Sequence, residues 1–433
     1  MADSDIFSSA QYVSSRRAYV LQCAFEYFVA LFSADAYLAK LLKYLGLSDA
    51  ATGIISSLIT FTLLFQLFSV VLGQRLKKVK STVITLDTLS QVFFALTFFT
   101  PFLPFSSSGR AFCAVLLLFS AYLTLYLNNT ITYKWGNSFV SPDNRASFGA
   151  GKEMISLISG IAVTLIAGLA VDCFENSGHL PRAFVFLGAA TLAASVCNFF
   201  CLLKMKELPL NGSKETDKEK FSVIARAVLK NRNYRNVIIL TTLIEIAKNT
   251  TNGFMGTYKT VDLGLSVGKI QFINVFACLT RFFVSKPFGR FSDKYGYSRG
   301  YFVGIILTIA TYVSGIFASG SLRWLIIPFT ALLQISYAGT SQNTYSMAYS
   351  YVEEEYILPA MSVCNSIRGT AGFAASFLAG LFVDYVQKNG NMLFGIHASA
   401  QQLLCVISSV ICVFALIFEK KYLMNSSVKD NKL

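Results

Sequence analysis

Five polar residues recur at helical spacing near the middle of the chain, inside an otherwise apolar run. They would share one face of a helix, and they are Thr241, Glu245, Lys248, Asn249 and Asn252. A charged side chain at the centre of a membrane costs about 2.5–3.5 kcal/mol, whereas each neighbouring aliphatic side chain returns only about 0.3–0.6 kcal/mol. This face must therefore meet water or other helices. We interpret it as one wall of a binding cavity in which Glu245 binds a ligand or accepts a proton. The alternative is that Glu245 and Lys248 neutralise each other across one turn.

The first apolar run contains two more acids, Glu26 and Asp35. They lie nine residues apart and therefore face opposite sides of a helix. Glu26 is the better cavity candidate, whereas Asp35 lies nearer the outer end and could pair with Lys40 or Lys43. Because a buried carboxyl group can load and release a proton, Glu26 and Glu245 are the two candidates for proton coupling.

Amides and arginines lie among tyrosines in several other apolar runs. The remaining candidates for a substrate site are Asn129, Asn274, Arg281, Gln342, Asn343 and Arg368. Amide groups can satisfy the hydroxyl groups of a solute while aromatic faces cover its apolar side. This mixture therefore favours a polar, uncharged or mildly charged organic solute. The alternative is that the aromatic stripes only pack helices together. If the first and seventh runs face each other across a cavity, Glu26 should contact Lys248 or Arg281.

The composition excludes a soluble globular protein. Of the 433 residues, 54% are hydrophobic and 14% are charged, whereas soluble domains carry about 25% charged residues. The net charge of +14 fits the basic cytoplasmic loops of a membrane protein and requires no nucleic-acid partner. The sequence has no Cys-x-x-Cys pattern, no Cys/His cluster and no P-loop. We therefore expect no metal, no cofactor and no enzymatic activity.

Twelve apolar runs are long enough to cross a bilayer as helices. We predict an all-α integral membrane protein with transmembrane helices at 18–44, 50–73, 81–103, 110–133, 146–172, 181–204, 236–258, 267–288, 300–319, 322–350, 358–386 and 393–419. Most of the 37 Lys and Arg residues fall on the side that holds both termini. The positive-inside rule then predicts a multi-pass protein of the cell membrane with both termini in the cytoplasm.

A long polar segment at 207–235 divides the chain near its middle. The similar stretches 167–172 and 379–384 occupy corresponding places on either side of it, which indicates an internal repeat. We therefore predict a six-helix bundle at 1–206, a cytoplasmic linker and a second six-helix bundle at 236–433. Apolar spacing within the linker predicts an amphipathic helix on the inner leaflet, and the alternative is a disordered connection.

A short charged loop is predicted at 289–299, between the eighth and ninth runs. Its Gly-x-x-x-Asp-Lys-x-Gly pattern and flanking cations comprise Gly289, Arg290, Asp293, Lys294, Gly296 and Arg299. The pattern resembles the loop signature of the major facilitator superfamily, which lies between the second and third helices of each six-helix half. A weaker copy in the first half keeps Gly73 and Arg75, but Lys77 stands where the acid should be. The alternative is a plain basic loop.

The resemblance implies a monomeric secondary transporter that works by alternating access, with the charged loop stabilising a cytoplasmic gate. We predict symport of a small polar organic solute with a proton or another coupling ion, inside a lipid bilayer. The signatures of the superfamily's drug antiporters and sugar porters are absent, so no subfamily is assigned. Two alternatives remain. One is multidrug efflux on the same fold, which the 39 Phe residues would suit. The other is a non-transporting receptor or assembly factor whose polar interior packs shut.

Overall fold

The computed structural model is almost entirely helical. It describes residues 9–66, 68–69, 72, 76, 79–140, 145–207, 226, 229–352, 357–393 and 396–424. Seven of the described helices are long and apolar enough to cross a membrane. The predicted all-α membrane class is confirmed.

Helices occupy each of the twelve predicted segments, within the residues described. In the first half of the chain they are α1 (Ala10–Phe32), α2 (Asp35–Tyr44), α3 (Asp49–Ser56), α4 (Leu58–Thr62), α5 (Val79–Thr97), α6 (Ser107–Asn137), α7 (Arg145–Asn176) and α8 (Leu180–Lys204). In the second half they are α9 (Arg232–Thr257), α10 (Val267–Tyr295), α11 (Tyr297–Phe317), α12 (Ile326–Tyr351), α13 (Ile357–Lys388) and α14 (Ala400–Tyr422). Two short strands, β1 (Met392–Leu393) and β2 (Ile396–His397), pair antiparallel between α13 and α14.

Two of the predicted spans are interrupted. The first is divided into α1 and α2, and Asp35 begins α2 with a φ of +47°. The second is divided into α3, α4 and one 3₁₀ turn at Leu63–Phe65. Positive φ is uncommon for a residue with a side chain, although Asp tolerates it better than most. Apolar periodicity alone could not reveal these breaks.

The chain forms two compact units. The first unit comprises Met1–Gly46 and Phe65–Lys218, and the second comprises Leu47–Leu64 and Glu219–Leu433. The segment 47–64 lies in the second unit because α3 packs against α9 and α13. The sequence analysis had placed this segment in the bundle 1–206. Most of the predicted linker, including 208–225, lies outside the described residues.

Close approach at a glycine pair allows α3 and α9 to pack together in the second unit. A Cβ added to Gly253 would lie 2.6 Å from the carbonyl oxygen of Gly53, and one added to Gly53 would lie 2.1 Å from the ring of Phe254. Neither position accepts a larger residue without movement of its neighbours. Small residues at such crossings are typical of helices that pack within membranes.

The charged segment after the eighth run is mostly helical, which corrects the predicted loop at 289–299. Helix α10 continues to Tyr295, and α11 begins at Tyr297. Gly296 alone separates the two helices, with a φ of +101°. The hydrophilic side chains misled the prediction, because a helix that extends beyond the apolar layer carries such residues.

Candidate functional site

A polar cavity of about 130 Å³ lies within the first unit. Helices α1, α6 and α7 line it with Tyr19, Gln22, Cys23, Glu26, Leu125, Asn128, Asn129, Thr132, Tyr133 and Lys152. The lining combines one acid, one base, three amides and two phenols. Such a mixture offers both donors and acceptors to a polar group.

Glu26 and Lys152 are the charged residues in the lining of this cavity. The Gln22 side-chain amide donates to Glu26 Oε2 at 2.8 Å. The Lys152 ammonium donates to the Tyr19 hydroxyl at 3.3 Å and lies 4.6 Å from the centre of the Tyr19 ring and 5.9 Å from that of Tyr133. A ring face attracts a cation without neutralising it. The Lys152 side chain is therefore held beside the cavity by contacts with two tyrosines.

The sequence analysis named Glu26 and Asn129 as candidate site residues but did not include Lys152. It also omitted Tyr19 and Gln22, although these two residues precede Glu26 by seven and four positions on the same helix face. Lys152 lies sixteen residues before Gly168, which belongs to the stretch 167–172 that is repeated at 379–384. No local pattern distinguishes it from a terminal lysine, because its tyrosine partner is on another helix.

A second buried acid in the first unit, Asp87, was not among the predicted site residues. It is 2% exposed and lies in the middle of α5. The Gln91 side-chain amide donates to Asp87 Oδ2 at 3.0 Å, and the Asn198 amide of α8 donates to the same oxygen. The i, i+4 spacing of Asp87 and Gln91 was a visible signal in the sequence.

In the second unit, Glu245 forms an ion pair with Arg368. The Arg368 guanidinium lies 2.7 Å from Glu245 Oε2, and the Asn249 amide donates to Glu245 Oε1 at 3.0 Å. Arg368 also donates to Asn365 Oδ1 at 3.4 Å. The ionic partner of Glu245 is therefore a residue of α13, which corrects the alternative that Glu245 and Lys248 form a self-contained pair on one helix.

Lys248 lies on the same face of α9 and contacts α12. Its side chain, 7% exposed, donates to Thr340 Oγ1 at 3.3 Å and lies 4.2 Å from the centre of the Tyr337 ring. The Asn252 amide donates to the hydroxyl of Tyr337 at 3.2 Å. This part of the predicted polar face thus packs against other helices of the second unit and is not exposed to lipid.

The remaining candidates in the second unit make separate contacts. The Thr241 hydroxyl donates to the Val237 carbonyl at 2.8 Å, the Asn274 amide donates to Gln271 Oε1 at 3.1 Å, Arg281 donates to Gln334 Oε1 at 3.5 Å, and the buried Asn343 donates to the Gly339 carbonyl at 2.7 Å. The side chain of Gln342 lies outside the described residues. The expected contact of Glu26 with Lys248 or Arg281 stays a prediction.

The charged side chains of the Gly-x-x-x-Asp-Lys-x-Gly segment at 289–299 lie at the surface. Arg290, Asp293, Lys294 and Arg299 are exposed, and Lys294 lies 5.2 Å from the centre of the Tyr295 ring. Residues Gly73, Arg75 and Lys77 of the weaker copy lie outside the described residues. The gate role of both segments stays a prediction.

The sequence contains one short pattern that hydrolases use, but the structure around it differs from that of a hydrolase. Residues 264–268 have the spacing G-x-S-x-G, in which a nucleophilic serine would follow a strand. Here a π-helical turn precedes the segment, and Ser266 is the N-cap of α10, where its hydroxyl accepts from the backbone of Lys269 at 3.4 Å. The hydroxyl caps a helix, a role that is structural.

Residues 237–427 match the family model of the Major Facilitator Superfamily. The crystal structure of the nucleoside transporter NupG superposes with a TM-score of 0.69 at 14% identity, covering 96% of this chain and 100% of that chain. A D-xylose-proton symporter superposes with a TM-score of 0.70 at 11% identity, covering 98% of this chain and 99% of the other.

A POT family transporter in complex with 5-aminolevulinic acid gives a TM-score of 0.66 at 13% identity, covering 95% of this chain and 96% of that chain. At these identities the solved structures show the fold alone. No curated protein sequence matches the chain. The match to the Major Facilitator Superfamily model is confined to residues 237–427, and no subfamily is assigned.

Proposed function

We propose that the protein is a secondary transporter that moves a small polar organic solute across the cell membrane by alternating access, as a monomer with both termini in the cytoplasm. The observation that carries this proposal is the cavity beside Glu26 and Lys152. Opposite charges and amides around an internal space are expensive to place in a membrane unless a ligand or water uses them. The alternative of a non-transporting scaffold predicts a polar interior that packs shut, and this cavity counts against it.

The lining supports a solute that carries hydroxyl or amide groups. The amides of Asn128 and Asn129 and the phenols of Tyr19 and Tyr133 can donate and accept hydrogen bonds, and the same two rings offer apolar faces. The structural neighbours named for a nucleoside and for D-xylose agree with this class. Multidrug efflux would instead require a lining dominated by aromatic and aliphatic side chains, and Leu125 is the one aliphatic residue here.

Of the two carboxylates considered for proton coupling, Glu26 is the better candidate. Glu245 is held by Arg368, and a carboxylate in an ion pair resists protonation. The hydrogen bond that Glu26 accepts from Gln22 comes from a neutral group. Within the described part of the chain no ion pair involves Glu26, so its carboxyl group can take up a proton without first leaving an arginine.

Uptake into proteoliposomes tests this proposal. A thermal-stability screen of purified protein with nucleosides, sugars, amino acids and organic acids first identifies the solute. An imposed pH gradient should then drive concentrative uptake by the wild type. Glu26→Gln should abolish gradient-driven accumulation and retain exchange of solute across the membrane, whereas Glu153→Gln, at an exposed position of α7, should behave as the wild type. Undiminished accumulation by Glu26→Gln would remove Glu26 from the coupling step.

A further inference from the structure

The ammonium group of Lys152 has no anionic partner among the residues that the structure describes. It donates to the hydroxyl of Tyr19 at 3.3 Å and faces the rings of Tyr19 and Tyr133. It does not form an ion pair with Glu26, although both residues line the same cavity. Both side chains are only partly buried, so a ligand can reach them. One hydrogen bond to a neutral oxygen leaves the charge of Lys152, and further N–H donors, available to that ligand.

The hydroxyl of Tyr19 places a second donor beside this ammonium. Tyr19 is 2% exposed, and a Cβ added to Gly136 would lie 2.2 Å from its ring, so the ring is closely packed in one position. The hydroxyl accepts from Lys152 through a lone pair and keeps its own proton. The thiol of Cys23 is the neighbouring group that would compete for this proton, and sulfur is a weak acceptor. Two donors 3.3 Å apart, one of them charged, suit the oxygens of a carboxylate.

Asn128 and Thr132 leave two polar atoms of the cavity lining without a partner. The two residues are one turn apart on α6, and they are 2% and 7% exposed. Neither Asn128 Oδ1 nor Thr132 Oγ1 has a hydrogen-bond partner within the described part of the chain. An amide oxygen only accepts, whereas a threonine hydroxyl can donate. A hydroxyl group of a ligand, which donates and accepts, would satisfy both atoms.

The volume of the cavity limits the size of such a ligand. It is about 130 Å³, and a cavity of about 150 Å³ in another protein holds benzene, a molecule of about six non-hydrogen atoms. A carboxylate and a hydroxyl group on a chain of about three carbon atoms have this size. The lining therefore matches a small hydroxycarboxylate such as lactate.

Charge balance links Glu26 to the binding of an anion. Lys152 attracts the Glu26 carboxylate, whereas Asp87 of α5, which is 2% exposed, repels it. The other titratable side chains near Glu26 are normally neutral near pH 7, and they are Tyr19, Cys23 and Tyr133. A ligand carboxylate on Lys152 would cancel the attraction and add a second repulsion. Protonation of Glu26 offsets both effects, because a neutral carboxyl group does not repel an anion.

We propose that this cavity binds a small hydroxycarboxylate together with a proton. The carboxylate of the ligand accepts from Lys152 and Tyr19. Its hydroxyl group contacts Asn128 and Thr132, and the proton binds to Glu26. With Glu26 protonated, the lining offers one cation and no anion, so it favours a monoanion over a zwitterion. Transport of the anion and the proton across the membrane rests on the proposed function, whereas their binding does not.

Calorimetric titration of the purified full-length chain in detergent tests the ligand class with probes of nearly equal size. The probes are both enantiomers of lactate, lactamide, alanine and propionate. One enantiomer of lactate should bind at least about tenfold more tightly than lactamide, which lacks the charge, and than alanine, which has an ammonium group in place of the hydroxyl. Propionate keeps the carboxylate but lacks the hydroxyl, so it should bind about fivefold more weakly than lactate.

Thr132→Val tests the hydroxyl contact, because it removes the oxygen and nearly keeps the shape of the side chain. This variant should bind lactate and propionate equally, at the affinity of the wild type for propionate. Thr130→Val is the matched control, since Thr130 is also 7% exposed on α6 but is not among the residues that line the cavity. It should keep the preference for lactate. Gel filtration confirms that both variants are folded.

Repeating the titration in buffers of different ionisation enthalpy counts the protons that bind with lactate. The wild type should take up about one proton per lactate, and raising the pH by about one unit should then weaken binding about tenfold. Glu26→Gln should bind lactate without proton uptake, because a glutamine is neutral at every pH. Glu153→Gln, at an exposed position of α7, should behave as the wild type.

Absence of lactate binding, equal binding of lactate and lactamide, or tighter binding of alanine would overturn the hydroxycarboxylate. An unchanged preference of Thr132→Val for lactate would overturn the hydroxyl contact, and lactate binding without proton uptake by the wild type would overturn the role of Glu26. The proposed function fails separately. Lactate binding without lactate uptake into proteoliposomes would remove the transport proposal and leave the site, whereas uptake of another class of solute without lactate binding would do the reverse.

Discussion

The carboxylate of Glu245 in α9 and the guanidinium of Arg368 in α13 lie 2.7 Å apart, although the two residues are 123 positions apart in the sequence. Both side chains are largely buried, with 16% and 22% exposure. This ion pair joins two helices of the second unit and leaves Lys248 to contact Tyr337. The contacts of Glu245 and Lys248 are therefore decided by how the helices pack together and not by the spacing of the two residues along α9.

Removing one partner of this ion pair should destabilise the protein more than removing both. Arg368→Met leaves the Glu245 carboxylate buried and unpaired, which should cost about 3 kcal/mol. The double variant Glu245→Gln, Arg368→Met should recover part of this loss. Thermal unfolding of the four proteins in detergent forms a double-mutant cycle. Additive effects would show that the two groups do not interact.

Lys152 should contribute to solute binding through its charge. Lys152→Met keeps much of the side-chain volume but removes the ammonium beside Tyr19, and solute affinity should fall by about one to two orders of magnitude, as expected for a hydrogen bond to a charged group. Lys134→Met, at an exposed position near the end of α6, is the matched control. Titration calorimetry with the solute identified by the thermal screen provides the measurement. Equal affinities for the two variants would place the solute elsewhere.

The close crossing of α3 and α9 should be sensitive to a single methyl group. A Cβ on Gly253 would lie 2.6 Å from the Gly53 carbonyl oxygen, so Gly253→Ala should destabilise the protein by about 1–3 kcal/mol. Gly149→Ala in α7 meets nothing within 4 Å and should be neutral or stabilising by up to about 1 kcal/mol. Comparison of the two melting temperatures decides the matter. A harmless Gly253→Ala would mean that the helices are further apart in the membrane.

The joint at Gly296 should require glycine. At a φ of +101° a side chain is strained, so Gly296→Ala should lose about 1–2 kcal/mol of stability. Gly289→Ala changes a glycine inside α10 and should be tolerated or slightly stabilising, because its backbone is helical. Thermal unfolding of both variants tests the difference. If the two alanines behave alike, the backbone at 296 does not have this conformation.

The polar face of α9 was predictable because the cost of charge in a membrane makes a few side chains conspicuous. Glu26, Glu245, Lys248 and Arg368 were all recognised in this way. Asp87 was missed although Gln91 follows it at i, i+4, because its other amide partner, Asn198 of α8, becomes a neighbour only after folding. The ion pair of Glu245 with Arg368 could not be predicted for the same reason. Helical spacing shows which residues share one face of a helix, but it does not show which residue of another helix they contact.

The sequence predicted which segments form helices, but it did not predict where each helix ends. Apolar runs located all twelve segments, yet α10 continues seven residues beyond the predicted end of its run. Hydropathy reports where lipid ends, whereas backbone hydrogen bonds decide where a helix ends. The assignment of 47–64 to the second unit also depends on a glycine contact that only three-dimensional packing reveals.

The one-residue connection at Gly296 limits how α10 and α11 can move. Two helices of 29 and 21 residues that meet at one residue have no slack, so neither can slide along its axis without pulling the other. Relative motion is restricted to rotation about the few backbone torsions at the joint. A displacement of the C-terminal end of α10 therefore also displaces the N-terminal end of α11, whereas a tilt of either helix can be absorbed by rotation at Gly296.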